Sequence, residues 1–188
     1  MAPAYVDDPQ ARTEAIDELD EQLVEIARVL PPDSLKAVRM VPIWLEYRKS
    51  APRRSVYHRS EGWLEKNGFN PEKARAIEVD HGIVGRHGSG SLFVLHELAH
   101  GYYDIALGRT APSLDRAYTA AMEAGLYDDV RRASGRRGRA YAATNVSEYF
   151  AELSESYFGR NDFQPFDRAE LRSFDPAGYA AVRSLWFD

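Results

Sequence analysis

The chain has 188 residues, 44% of them hydrophobic, which is enough for one folded domain with a sizeable core. Its formal net charge of −5 gives no overall attraction to nucleic acid or to anionic lipid, so neither is an expected partner. There is no cysteine, which excludes disulfides, thiolate metal ligands and a cysteine nucleophile. Any metal must therefore be held by histidine and carboxylate side chains.

The chain shows no sign of membrane association. No apolar run approaches the ~20 residues that a membrane span needs, and residues 1–8 lack the basic and apolar regions of a signal peptide. We expect a soluble protein with no membrane partner. Its compartment is unknown from the sequence, and secretion with a signal peptide absent from this chain stays open.

The first half of the chain predicts one helix and three strands. An amphipathic helix is expected from Asp7 to Leu30, because its apolar residues recur at spacings of three and four until Pro31-Pro32 stops the pattern. This segment, residues 1–32, is expected to pack on the domain. The predicted strands are Leu35–Leu45, Arg54–His58 and Ala74–Asp80.

The second half predicts mainly helices. They are Leu92–Leu107 ended by Gly108, Pro112 to Gly125, a helix capped by Asn145 that reaches Phe158, and one or two short helices within Ser173–Trp186. Val130–Arg139 is a basic connection between them. Strands first and helices afterwards predict an α+β fold, with a small sheet and a single domain over residues 1–188.

One motif carries chemistry. His96-Glu97-Leu98-Ala99-His100 is the two-histidine helix motif of zinc metallopeptidases. Residues four apart on a helix share a face, so both imidazoles can reach one Zn²⁺ while Glu97 acts as general base toward a zinc-activated water. The alternative is a pair of core histidines, which the predicted helix with its end signals disfavours.

A catalytic zinc needs a third protein ligand. The candidates elsewhere in the chain are His58, His81, His87 and Asp104. On the helix after Asn145, Glu148, Glu152 and Glu155 form an acidic stripe. Alone, such a stripe is typical of a solvated face, but beside a motif that lacks an anionic ligand it becomes a candidate.

The segment Asn145–Glu152 resembles the second zinc-binding helix of gluzincin metallopeptidases, especially of the anthrax lethal factor catalytic-domain family. Tyr57-His58, Trp63-Leu64, the motif itself and Tyr149–Phe166 are also similar to small uncharacterised bacterial and fungal members. The resemblance covers most of residues 54–188. This chain lacks the large recognition domains of lethal factor, so nothing about that toxin's substrate is carried over.

The resemblance implies a zincin-like domain with specific roles for three residues. Glu148 would be the third zinc ligand, Glu152 would orient a ligand histidine, and Tyr141, seven residues before Glu148, would donate to the developing oxyanion. Glu155 is expected to matter little. Four other tyrosines are alternatives to Tyr141 for the oxyanion: Tyr102, Tyr103, Tyr118 and Tyr127.

The sequence therefore predicts a zinc metalloendopeptidase that binds one Zn²⁺ per chain and hydrolyses a peptide or protein substrate. Two alternatives stay open. One is a zinc hydrolase of a non-peptide amide, and the other is a zinc-binding domain that recognises peptides or proteins without cutting them. The presence of Glu97 weighs against the last, because a binding domain has no need of a general base. The oligomeric state is not indicated.

Overall fold

The structure is a computed structural model and describes residues 8–46, 55–80 and 90–188. The candidate ligands His81 and His87 lie outside these ranges. The helices are α1 (Pro9–Val29), α2 (Pro32–Val38), α3 (Glu61–Lys66), α4 (Phe93–Ile105), α5 (Pro112–Glu123), α6 (Val146–Phe158), α7 (Arg168–Phe174) and α8 (Pro176–Phe187). The strands are β1 (Ile43–Glu46), β2 (Ser55–His58), β3 (Ala76–Asp80), β4 (Val130–Arg131) and β5 (Arg137–Gly138).

A small mixed sheet confirms the predicted α+β class. Its strand order is β1-β3-β2, with β1 parallel and β2 antiparallel to β3. Ile77 of β3 is level with Ile43 of β1 and Tyr57 of β2. All five residues of β3 are buried, because this strand lies in the middle of the sheet. The predicted connection Val130–Arg139 contains the two-residue antiparallel pair β4 and β5.

The predicted strand Leu35–Leu45 is wrong over most of its length. Pro32 takes the first turn of α2, where its missing N–H costs nothing, and Asp33 adds a favourable charge there. Val38 is buried against the core and only Ile43–Glu46 is extended. The strand predicted from Ala74 starts at Ala76 instead, because Arg75 has a φ of 58°. Helix α3, which Ser60 caps, was not predicted.

Helices α4 and α6 form the centre of the molecule and match their predicted positions closely. Nine of the thirteen residues of α4 are buried. In α6, the Asn145 side chain accepts hydrogen bonds from the backbone N–H groups of Ser147 and Glu148, as a helix cap should. The two helices pack on each other, and α4 also packs against β2. Helix α4, helix α6 and strand β2 therefore surround the space above the two-histidine motif.

A glycine allows the segment that leads into β1 to approach α4 closely. A Cβ atom at Gly101 would lie 2.8 Å from Cγ2 of Val41 and 3.4 Å from Cε2 of Tyr57. The distance to Val41 is too short for two carbon atoms, so the packing of the segment before β1 on α4 depends on the missing side chain. Among the residues that the structure describes, no helix has the length and the apolar run needed to cross a bilayer.

Candidate metal centre

Three side-chain atoms meet above α4. The Nε2 atoms of His96 and His100 are 3.2 Å apart, and Oε2 of Glu148 lies 3.2 Å from the first and 3.1 Å from the second. The two histidines come from successive turns of α4, and Glu148 comes from the first turn of α6. The packing of α4 on α6 therefore brings together the two parts of the predicted ligand set.

The opposite nitrogen of each imidazole is also engaged. Nδ1 of His96 lies 2.9 Å from Oε1 of Glu155, and Nδ1 of His100 lies 2.8 Å from Oγ of Ser147. A proton on each Nδ1 that is donated to these oxygens leaves both Nε2 lone pairs directed at the shared point. Such outer hydrogen bonds are typical of histidines that bind metal, because they fix the tautomer and the ring orientation.

The spacing of the three atoms fits zinc. Ligands held ~2.0–2.1 Å from a tetrahedral ion are separated from each other by roughly 3.3 Å. The observed separations of 3.1–3.2 Å agree with that value. Two imidazoles and one carboxylate are also a donor set that suits zinc, and three protein ligands leave a fourth position open. His96, His100 and Glu148 could thus hold one metal ion.

The charges of His96 and Glu148 stabilise each other. Burial disfavours a charge on His96, but its hydrogen bonds to Glu148 and Glu155 outweigh that effect and raise the pKa of His96 well above its usual value. Burial likewise opposes the charge on Glu148, yet His100 and His96 lower its pKa to about 2. Glu148 is therefore anionic, and a metal cation that replaces the proton on Nε2 of His96 would be stabilised by the same carboxylates.

Glu97 is held in place from the sheet. The backbone N–H of Tyr57 donates to Oε2 of Glu97 over 2.7 Å, and the Tyr57 hydroxyl donates to Oδ2 of Asp104 over 3.0 Å. Glu97 and Asp104 are both on α4, so Tyr57 links strand β2 to this helix by two hydrogen bonds. Glu97 also lines the cleft, where its carboxylate can meet a water molecule.

A cleft of about 410 Å³ opens above the cluster. Its walls include the three candidate ligands, Glu97, residues 55–57 of β2, and Tyr141. Tyr141 is 48% exposed, and its ring stacks on that of His96 with the centroids 6.3 Å apart. Burial and the neighbouring Glu148 raise the pKa of Tyr141, so its hydroxyl keeps its proton and can act as a donor.

The outer contact to His96 differs from the one expected. Glu155, predicted to matter little, makes the short contact with Nδ1 of His96, whereas Oε1 of Glu152 is 3.6 Å from the same atom. Glu152 instead accepts a hydrogen bond from Asn161, and burial raises its pKa to about 8. Ser147, Glu155 and Tyr57 are the partners that the sequence interpretation missed.

The other candidate ligands lie elsewhere. His58 is buried on the sheet, where its Nε2 is 3.2 Å from Oε2 of Glu78. Asp104 lines the cleft but accepts the hydrogen bond of Tyr57. Of the four other tyrosines considered, Tyr102 and Tyr103 donate to backbone carbonyls and Tyr127 donates to Asp175, so these hydroxyls are occupied outside the cleft.

The fold and the cluster together define an α+β protein with a candidate metal centre on two packed helices. No protein-family model, curated protein or solved structure matches this chain. Its function therefore has to be inferred from the chemistry of the cleft.

Proposed function

We propose that this protein is a zinc-dependent endopeptidase of the gluzincin type, with His96, His100 and Glu148 as the zinc ligands. The observation that carries the proposal is the convergence of their three ligand atoms at 3.1–3.2 Å, directly beside Glu97. Glu97 favours a hydrolase over a zinc-binding interaction domain, because a carboxylate that lines the cleft beside the candidate ligands can act as a general base.

Zinc bound at this site would act as a Lewis acid. It would lower the pKa of a water molecule and polarise the carbonyl group of the substrate. Glu97 accepts a proton from the attacking water and then donates it to the leaving amine. The N–H of Tyr57 keeps the Glu97 carboxylate oriented during both transfers. Tyr141 donates a hydrogen bond to the negative charge that develops on the carbonyl oxygen.

A peptide substrate is favoured by the position of β2. Within the described ranges this strand pairs only with β3, and its other edge borders the cleft. The N–H of Tyr57 points from that edge toward Glu97. An extended peptide could add to such an edge by main-chain hydrogen bonds, which would bring its scissile bond over the cluster.

The first prediction tests this function with Glu97→Gln. The amide keeps the shape of the side chain but cannot accept the proton, so cleavage of a proteome-derived peptide library should fall by roughly 10²–10⁴-fold. Zinc content, measured by elemental analysis, should stay at about one ion per chain as in the wild type. A chelator should abolish wild-type cleavage, and added zinc should restore it.

Two results would count against the proposal. Cleavage by Glu97→Gln at the wild-type rate would remove Glu97 from the role of base. A wild-type protein that binds zinc and cuts no peptide in the library would instead favour the non-catalytic interaction domain.

A further inference from the structure

A second pocket lies beside the cleft, on the other side of residues 56–59. It has a volume of about 400 Å³ and is formed by the end of β2, the turn that follows and helix α3. Val56, Tyr57 and Arg59 line both the pocket and the cleft, so the two spaces are neighbours. A ligand that occupies the cleft therefore lies next to the second pocket.

The pocket presents an exposed aromatic surface. Trp63 on α3 is 53% exposed, and its ring stacks on that of Phe69 with the centroids 5.6 Å apart and an angle of 9° between the planes. Phe69 holds the indole in one orientation. A large aromatic side chain left partly exposed in a concave site is typical of ligand binding, because its apolar face gains most from being covered.

The polar groups of the pocket are mostly satisfied inside the protein. The hydroxyl of Tyr57 donates to Asp104, Nε2 of His58 faces Glu78, and Oγ of Ser60 accepts from the backbone of Trp63. The exception is Arg59, which is exposed and makes no ion pair with any residue of the described ranges. The pocket thus offers an indole face and a guanidinium, with few hydrogen-bonding groups left for a polar ligand.

We propose that this pocket is a substrate subsite that selects an aromatic side chain near the cleaved bond. The ligand ring would stack on Trp63, and the guanidinium of Arg59 would favour an aromatic over an aliphatic group through a cation–π contact. The assignment of the ligand as substrate rests on the proposed peptidase function. The residues that line the pocket are different from the three candidate metal ligands.

The second prediction compares peptides that differ by Phe, Leu or Ala at each position around the cleaved bond. Wild-type protein should prefer Phe over Ala by about tenfold in kcat/KM at one position, the value expected for a well-placed aromatic contact. Trp63→Ala should lose this preference, and Trp63→Phe should retain part of it. Phe187→Ala is the matched control, since Phe187 is 48% exposed and lines neither space.

A binding measurement separates the subsite from the catalytic proposal. N-acetylphenylalanine amide is titrated into Glu97→Gln protein, with and without Trp63→Ala, and followed by NMR line broadening of the ligand, with N-acetylalanine amide as the reference. Phe-selective binding that requires Trp63, together with no cleavage of any peptide by the wild-type protein, would support the pocket and reject the peptidase. Cleavage with no Phe preference, or with one that survives Trp63→Ala, would overturn the subsite alone. Absence of both cleavage and Trp63-dependent binding would overturn both.

Discussion

At the scale of single residues, His96 connects the candidate metal centre to the interior of the protein. Its Nε2 faces the ligand cluster and its Nδ1 faces Glu155, which is buried. A carboxylate behind an imidazole makes the ring a better electron donor and holds it in place. The affinity for metal should therefore depend on a residue that does not touch the ion.

The third prediction compares Glu155→Gln with Glu152→Gln. Both substitutions preserve shape and remove a carboxylate near Nδ1 of His96, but only Glu155 is at hydrogen-bond distance. Glu155→Gln should weaken zinc binding by about tenfold or more, the usual effect of losing an outer carboxylate, and Glu152→Gln should weaken it less. Competition titrations with a zinc chelator measure both affinities. A larger loss for Glu152→Gln would restore the assignment made from the family resemblance.

The sequence was sufficient to predict the three residues of the candidate metal centre and insufficient to predict the residues that hold them in place. Residues seven apart on a helix differ by about 20° in direction and residues four apart by about 40°, so Glu155 shares the face of Glu148 more closely than Glu152 does. That spacing was a usable signal. The resemblance implied Glu152 for the supporting role instead, but an imidazole has nitrogens on two sides, and His96 is close to both Glu148 and Glu155.

At the scale of elements, the start of α6 sets the position of the ligand carboxylate. Asn145 caps the helix, and the next two residues with side chains in the cluster, Ser147 and Glu148, receive their backbone position from that cap. The positive end of the helix dipole also favours the charge of Glu148. The cap that starts α6 thus also positions the carboxylate of Glu148.

The fourth prediction uses two helix caps. Asp167 caps α7 as Asn145 caps α6, by accepting from two backbone N–H groups. Replacing either by Ala should lower the free energy of unfolding by about 1 kcal/mol. Of the two variants, only Asn145→Ala should also weaken zinc binding, because α6 carries a candidate ligand and α7 does not. Chemical denaturation and zinc titration measure the two effects, and equal zinc affinities in both variants would contradict the link between cap and ligand.

Helices with clear end signals could be predicted from the sequence, and contacts between distant segments could not. The positions of α4 and α6 followed from an apolar run and from Asn145. The hydrogen bond from Tyr57 to Glu97 joins residues 40 positions apart through a backbone N–H, which leaves no trace in residue type. Helix α2 was mistaken for a strand because its seven residues are too few for the pattern to decide, although the spacing of three between Leu35 and Val38 fits a helix.

At the scale of the whole molecule, the cluster joins elements from distant parts of the chain. His96 and His100 come from α4, Glu148 comes from α6, and Glu97 links α4 to the sheet through Tyr57. An unfolded chain cannot hold these groups in one place. Metal binding should therefore raise the free energy of unfolding of the entire fold. The increase depends on how much more tightly the native state binds the metal than the unfolded state does.

The fifth prediction is a zinc-dependent rise in melting temperature. At a free zinc concentration of about 100 times Kd, binding to the native state alone adds about 2.7 kcal/mol to the free energy of unfolding. For a chain of this length that corresponds to an increase in Tm of roughly 5–10 °C. Differential scanning calorimetry with buffered zinc, and with Mg²⁺ as the control ion, measures the shift.

His100→Ala should abolish it, because the two remaining ligand atoms bind zinc too weakly, whereas Phe187→Ala should preserve it. An equal shift in His100→Ala would place zinc somewhere other than this cluster, and an equal shift with Mg²⁺ would argue against a site built from imidazoles.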